Sequence, residues 1–171
     1  MSTQSLIRLG ALAAVVGGTL RVASAFVPAT EPLGGVEWFY LVIDILLMFA
    51  VVAVYAYQHS ESGVWGFAGF VLAAIGIESI GGPDGRIGTV DVYTAGASVI
   101  GIGMVLLAVG CWVANKLPRY VAVVWMLSTA VGVLAIFAQM SGVSFQVAGV
   151  LFGLGFVGAG MHILGDAALK R

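Results

Sequence analysis

The stretch that decides the fold runs from Tyr120 to Asp166 and reads YVAVVWMLSTAVGVLAIFAQMSGVSFQVAGVLFGLGFVGAGMHILGD. Between these two residues, His162 is the only titratable side chain. No water-soluble domain can bury so long an apolar stretch. A single helix over it would be roughly 70 Å long, against a hydrocarbon core of about 30 Å. The stretch therefore predicts two membrane-spanning helices, divided at Met140-Ser141-Gly142.

The rest of the chain has the same character, since 61% of its residues are hydrophobic and only 9% are charged. A spanning helix needs about 20 apolar residues. Polar, glycine-rich and proline-rich interruptions leave six such segments, at about 5–26, 37–58, 63–80, 91–115, 119–140 and 143–165. They are apolar on every face, whereas the strands of a membrane barrel alternate apolar and polar residues. The sequence predicts an all-α, six-span membrane protein with a single domain over residues 1–171.

The basic residues set the orientation. With six spans, both termini share one side with the loops after the second and fourth spans. That side carries Arg8, Lys116, Arg119, Lys170 and Arg171. The loops of the opposite side carry Arg86 as their only basic residue. Because basic residues accumulate in cytoplasmic loops, we expect a multi-pass protein of the cell membrane with both termini in the cytoplasm.

The first span has a competing interpretation. Arg8, the apolar run 9–20 and Ala23-Ser24-Ala25 resemble a secretory signal peptide with its cleavage site. Arg21 lies between the apolar run and that site, where a charge is unusual. We therefore expect an uncleaved helix.

The sequence also contains a weak internal similarity. YQHS at 57–60 followed by GFAGFVL at 66–72 resembles AQMS at 138–141 followed by QVAGVL at 146–151. The second and third spans would then correspond to the fifth and sixth. Two units of three spans must be inverted relative to each other, as in many transporter folds. Coincidence is the alternative, because membrane segments rich in Ala, Gly, Val and Leu align readily.

Charged side chains inside a bilayer cost a few kcal/mol each and usually face the protein interior or water. Arg21, Asp44 and Glu78 lie inside spans, and the topology places all three in the outer third of the membrane, beside Asp91. We therefore predict a ligand-binding pocket that opens to the outside and is formed by these four residues. The alternative is a structural ion pair of Arg21 with Asp44 or Glu78 that fixes helix register.

Few other residues offer chemistry. Cys111 is the only cysteine, which excludes an intrachain disulfide. His162 and Asp166 share a helix face but provide too few ligands for zinc, and we expect neither a metal nor a cofactor. The glycines of 153–158 mimic a dinucleotide-binding motif, but no strand precedes them, so close helix packing is the better interpretation. Without a basic run, nucleic-acid binding is not expected.

Three functions follow, in order of preference. The first is a small non-enzymatic membrane protein that binds or conducts a cation, a proton or an amine through an outward-facing acidic pocket. The second is an accessory or scaffold subunit, whose glycine-rich helix faces pack on a second copy or on a partner in the lipid bilayer. The third is an enzyme acting on a lipid, with Asp44 and Glu78 as acid and base.

The topology can be checked by thiol labelling in intact cells. A cysteine introduced at Lys116 or Lys170 should react with a membrane-impermeant reagent only after permeabilisation, because both positions are expected in the cytoplasm. A cysteine introduced at Asp84 should react without it. The reverse pattern would contradict the orientation.

Overall fold

The computed structural model describes residues 3–27, 34–80, 86–138 and 142–169. Its helices are α1 Thr3–Ser24, α2 Gly34–Gln58, α3 Gly63–Ile80, α4 Val92–Ala114, α5 Arg119–Phe137 and α6 Gly142–Leu169. They match the predicted spans to within about one helical turn. All six are long and apolar enough to cross a membrane. The prediction of an all-helical chain with six such segments is confirmed.

The segment before α4 forms a small ribbon that the sequence did not predict. Strands β1, Arg86–Ile87, and β2, Val90–Asp91, pair antiparallel around a turn at Gly88 and Thr89. Gly88 has φ +64°, a backbone conformation that favours glycine. The ribbon delivers Asp91 to the start of α4, where its side chain accepts a hydrogen bond from Thr94 N at 2.8 Å. Asp91 is thus the N-cap of α4.

The six helices form a closed ring. Each helix packs antiparallel against its neighbours in the chain, and α6 returns to pack against α1. The most extensive interfaces join α3 to α4 and α1 to α6. The ring therefore has two ends. We call them the Arg21 end, where α1 stops and α6 begins, and the Lys116 end, where α4 stops and α5 begins.

Glycines let the backbones approach closely at the two largest interfaces. Between α3 and α4, a Cβ at Gly69 would collide with the backbone of Leu107, and one at Gly110 would lie 2.5 Å from Gly66 Cα. Between α1 and α6, a Cβ at Gly153 would lie 2.5 Å from Gly18 O. These contacts confirm the expectation that the glycines serve close helix packing.

The interior of the ring is apolar and well filled. Trp125 of α5 and Phe156 of α6 are completely buried, and their ring centroids lie 5.1 Å apart. Leu47, Met104 and Leu107 extend the same cluster to α2 and α4. Large apolar side chains also lie on the outside of every helix; exposed examples are Leu6, Phe49, Phe67, Ile102, Leu134 and Met161.

Two alanine substitutions in α6 test the role of close approach. Gly153→Ala should destabilise the protein by about 1–3 kcal/mol, because the added methyl would overlap backbone that cannot move by itself. Gly165→Ala is the matched control, since a Cβ there meets nothing within 4 Å and alanine is the better helix former. Thermal unfolding of the purified variants in detergent measures both. Equal effects of the two substitutions would contradict the packing argument.

Candidate functional site

A cavity of about 300 Å³ lies at the Arg21 end of the ring. It has the size of the smallest ligand sites and would hold roughly ten water molecules. We call it the Arg21 cavity, and its walls are formed by Arg21, Ser24, Ala25, Val27, Tyr40, Tyr93, Phe145, Gln146 and Gly149.

The ends of four helices build this cavity. The last turn of α1 and the residues after it provide Arg21 and Ala25, while the second turn of α2 provides Tyr40 and the first turn of α4 provides Tyr93. The start of α6 provides Gln146. Residues from both halves of the chain meet here because α6 packs on α1 and closes the ring.

The Arg21 side chain lies flat against α6 at Gly149. A Cβ built on Gly149 would lie 3.1 Å from Nη2, 3.4 Å from Cζ and 3.5 Å from Nε of Arg21, so the guanidinium faces the helix broadside. Nη1 donates a hydrogen bond to Ser24 Oγ at 3.3 Å, and Ser24 Oγ donates to Arg21 O at 2.7 Å. A guanidinium has five N–H donors. Most of the hydrogen-bonding capacity of Arg21 is therefore left for the cavity.

Asp44 lies near Arg21 without touching it. The carboxyl group is half-buried in α2 and close enough to be attracted by the guanidinium charge. Among the residues that the structure describes, however, no carboxylate lies within 4.0 Å of an Arg21 nitrogen. The direct ion pair that the sequence suggested is therefore not formed with either Asp44 or Glu78. Asp44 is also absent from the cavity wall.

The other two predicted ligand-binding residues do not line the cavity either. Glu78 is exposed on α3, and Asp91 caps α4. All four residues lie towards the Arg21 end, as their depth in the spans predicted. The structure brings Asp44 close to Arg21 but leaves Glu78 and Asp91 apart from both. The side chain of Glu37, at the same boundary, lies outside the described residues.

Sequence reasoning missed most of the polar wall. Ser24, Tyr93 and Gln146 are uncharged and lie near the ends of spans, where polar residues are common. Tyr40 follows Trp38 and Phe39 in an aromatic run near the start of α2, a composition typical of a membrane interface. No signal in the linear pattern distinguishes these residues from others at the membrane boundary.

The Lys116 end is held together by polar contacts between distant parts of the chain. Tyr57 Oη of α2 donates to Asp166 Oδ2 of α6 at 2.9 Å. His162 Nε2 donates to Lys116 O at 3.0 Å, which requires a proton on that nitrogen because a carbonyl only accepts. Lys116 Nζ lies 2.8 Å from Glu61 Oε1. The first two contacts connect α6 with α2 and with the loop that follows α4. The ion pair connects the loop between α2 and α3 with the loop between α4 and α5.

The Glu61 carboxyl group stays ionised at this end. The hydrogen bond from Lys116 is the main cause of its lowered pKa, and the hydrogen bond from Ser60 adds to it. The ion pair is exposed on both sides, so it contributes little to stability.

A buried polar contact joins α2 to α4 near the Lys116 end. Gln58 Nε2 donates to Cys111 Sγ at 3.0 Å, and both side chains are almost completely buried. Cys111 is therefore more than the small apolar residue that its surroundings in the sequence suggest. Within residues 3–27, 34–80, 86–138 and 142–169, Gln58 Oε1 and Ser62 Oγ are buried without a hydrogen-bond partner.

No group of three or more His, Cys, Asp or Glu side chains in the described part of the chain is arranged to hold a metal ion. Comparison with protein-family models, with curated proteins and with solved structures finds no match. The fold and the cavity therefore define this protein only as a closed ring of six apolar helices with a cavity of mixed polar and apolar lining at one end.

The contact between Tyr57 and Asp166 can be tested with a matched pair of tyrosines in α2. Tyr57→Phe should lower the stability in detergent by about 1 kcal/mol, because it removes one hydrogen bond between α2 and α6. Tyr55→Phe should have little effect, because Tyr55 stacks its ring on Phe70 and the substitution keeps the ring. An unchanged melting temperature for Tyr57→Phe would show that this contact does not hold the Lys116 end together.

Proposed function

We propose that this protein is an integral protein of the cell membrane that binds a small solute in the Arg21 cavity, which opens to the outside. The observation that carries the proposal is the cavity itself. Its lining is mixed polar and apolar, it contains an arginine with unused donors, and it lies at one end of a ring of apolar helices. Pockets of this kind, with a few placed polar groups, are the usual form of a small-molecule site.

Membrane insertion is supported by the outer surface of the ring. Large apolar side chains such as Phe49, Ile102 and Leu134 are exposed on helices that are themselves long enough to span a bilayer. Such a surface would aggregate in water but is well solvated by lipid. Trp38 and Tyr120, both exposed, lie near helix ends where aromatic side chains favour the interface.

The positive-inside rule supports the direction in which the cavity opens. Lys116 and Arg119 lie at the opposite end of the ring, and basic residues near helix ends favour the cytoplasm. The Arg21 cavity would then face outward, as the depth of the charged residues suggested.

The wall of the cavity argues against the solute first expected. An acidic pocket would suit a cation, a proton or an amine, but Asp44, Glu78 and Asp91 do not line this cavity. Arg21 contributes the charged group of the wall, within the described residues. A solute that binds beside it gains from carrying no positive charge of its own.

Conduction through the ring would be favoured by an inverted repeat, which would relate its two largest interfaces. If α1–α3 and α4–α6 are inverted repeats, the α3–α4 interface corresponds to the α6–α1 interface, and these two are the most extensive. The sequence similarity pairs Gly66 with Gln146 and Gly69 with Gly149. At the Lys116 end, Gly66 packs on Gly110 and Gly69 on Leu107, whereas the equivalent region at the Arg21 end holds the cavity. Both interfaces are closely packed along the helices, at Gly69 with Leu107 and at Gly153 with Gly18, and the difference between them is the cavity at the Arg21 end.

The two other functions have less support. The glycines expected to contact a partner subunit contact other helices of the same chain, so a partner would have to use a different surface. A lipid enzyme needs Asp44 and Glu78 together, but Glu78 is exposed on α3 and neither residue lines the cavity.

Thiol labelling of the cavity wall tests the proposal. A cysteine introduced by Ala25→Cys should react with a membrane-impermeant maleimide in intact cells, because Ala25 lines the cavity and is partly exposed. Ser60→Cys, in the exposed loop at the Lys116 end, is the matched control and should react only after permeabilisation. The wild type gives the background, since its single thiol, Cys111, is buried.

An Ala25→Cys thiol that stays unreactive in intact cells, or that reacts only after permeabilisation, would contradict an outward-facing cavity. The same substitution in a detergent-solubilised sample shows whether the thiol is reachable at all.

A further inference from the structure

We propose that the solute bound in the Arg21 cavity carries an oxyanion, either a carboxylate or a phosphate, which the Arg21 guanidinium binds while Gly149 sets the position of that guanidinium. The inference rests on the proposed function, because it names the chemical class of the ligand for the same cavity.

The first step is the imbalance between donors and acceptors in the wall. Arg21 has five N–H donors, and one hydrogen bond from its side chain, to Ser24, is formed among the described residues. The guanidinium is partly buried and lines the cavity. A cationic group with free donors in a partly desolvated space is best satisfied by a planar or tetrahedral oxyanion, which can accept two parallel hydrogen bonds.

The second step is the position of the acidic residues. Asp44 attracts Arg21 from beyond contact distance, and neither it nor Glu78 lines the cavity. Asp44 therefore offsets part of the cost of the buried charge without occupying the donors of Arg21. A carboxylate in direct contact would compete with an anionic ligand, whereas a more distant one leaves the binding edge of the guanidinium open.

The third step is Gly149. The flat face of the guanidinium packs on this residue, so its N–H groups point along the surface of α6. The guanidinium cannot move closer to the axis of α6. A methyl group at 149 would lie 3.1 Å from Nη2 and would push the guanidinium into the cavity by a few tenths of an ångström. Gly149 is thus a positioning residue, and the group that moves is the flexible end of a side chain.

The remaining wall suits the body of a small acid. Tyr40, Tyr93 and Phe145 place aromatic groups around the cavity, and Gln146 adds an amide. A volume of about 300 Å³ accommodates a small solute or a lipid head group, but not a whole lipid. A small acidic solute and an anionic lipid head group both carry an oxyanion, so either could supply the ligand.

Isothermal titration of the purified, full-length protein in detergent separates the ligand classes. Benzoate and inorganic phosphate are the anionic probes, and benzylamine is the cation matched in size to benzoate. We expect the two anions to bind and benzylamine not to bind. Arg21→Gln should weaken benzoate binding about tenfold or more, the usual effect of losing a charge-assisted hydrogen-bond pair. The benzoate affinity of Arg21→Lys should lie between those of the wild type and Arg21→Gln, because lysine keeps the charge but lacks the planar guanidinium.

Gly149→Ala distinguishes a ligand-binding role of Arg21 from a purely structural one. It should weaken benzoate binding while leaving the melting temperature close to that of the wild type, since only a flexible side chain must shift. Gly165→Ala, in the same helix with open space around it, should leave benzoate affinity unchanged and should not lower the melting temperature. If Arg21→Gln does not fold, Arg21→Lys and Gly149→Ala carry the test, and unchanged benzoate affinity in both overturns the proposal.

The source of the oxyanion is decided in nanodiscs. If phosphatidylglycerol added to phosphatidylcholine weakens benzoate binding, a lipid head group competes for the cavity; if it does not, the ligand is a free solute. Failure of both benzoate and phosphate to bind, preferential binding of benzylamine, or benzoate binding that is indifferent to Arg21→Gln overturns the ligand class. A reactive Ala25→Cys thiol without anion binding refutes this inference alone, whereas an unreactive thiol refutes the proposed function itself.

Discussion

The architecture depends on the backbone contact between α1 and α6 at Gly18 and Gly153. In the proposed lipid surroundings, apolar side chains would gain little by leaving lipid for another helix, so association would rely on close packing of small residues. A Cβ at either glycine would meet the backbone of the opposite helix at 2.5–2.6 Å, so larger residues would hold these helices apart. Because α1 and α6 are the first and last helices, this contact closes the series of consecutively packed helices into a ring.

The same contact creates the site. It brings the last turn of α1 against the start of α6, so that Arg21 lies on Gly149 and a cavity opens between the helix ends. A charge placed in an apolar helix is costly, and a direct ion pair with Asp44 would be the simplest way to reduce that cost. The structure instead keeps Asp44 at a distance. This separation leaves the N–H groups of Arg21 that face the cavity uncovered by any carboxylate of the described residues, which is the basis of the proposed anion site.

The two ends of the ring differ in how they are held. At the Lys116 end, side chains far apart in the sequence are hydrogen-bonded, as Tyr57 is to Asp166 and His162 is to the backbone of Lys116. At the Arg21 end, Arg21, Ser24 and Gln146 are among the side chains that line an open space. Transport through such a ring would require the polar contacts of the Lys116 end to break as the cavity closes, and their modest individual strength makes such an exchange accessible.

The sequence by itself determined the number, order and approximate bounds of the helices, because each follows from the length of an apolar run set against the thickness of a bilayer. It also determined the glycine packing and the positions of Arg21, Asp44 and Glu78 along their helices, since each residue advances the helix by about 1.5 Å. The tertiary structure decided which way each residue faces. One residue turns a helix face by about 100°, so the direction of a side chain depends on which helices meet and in what register. That is why Arg21 shares a cavity wall with Tyr93 and Gln146 of other helices, why Glu78 is exposed on α3, and why Asp91 caps α4 instead of joining the cavity.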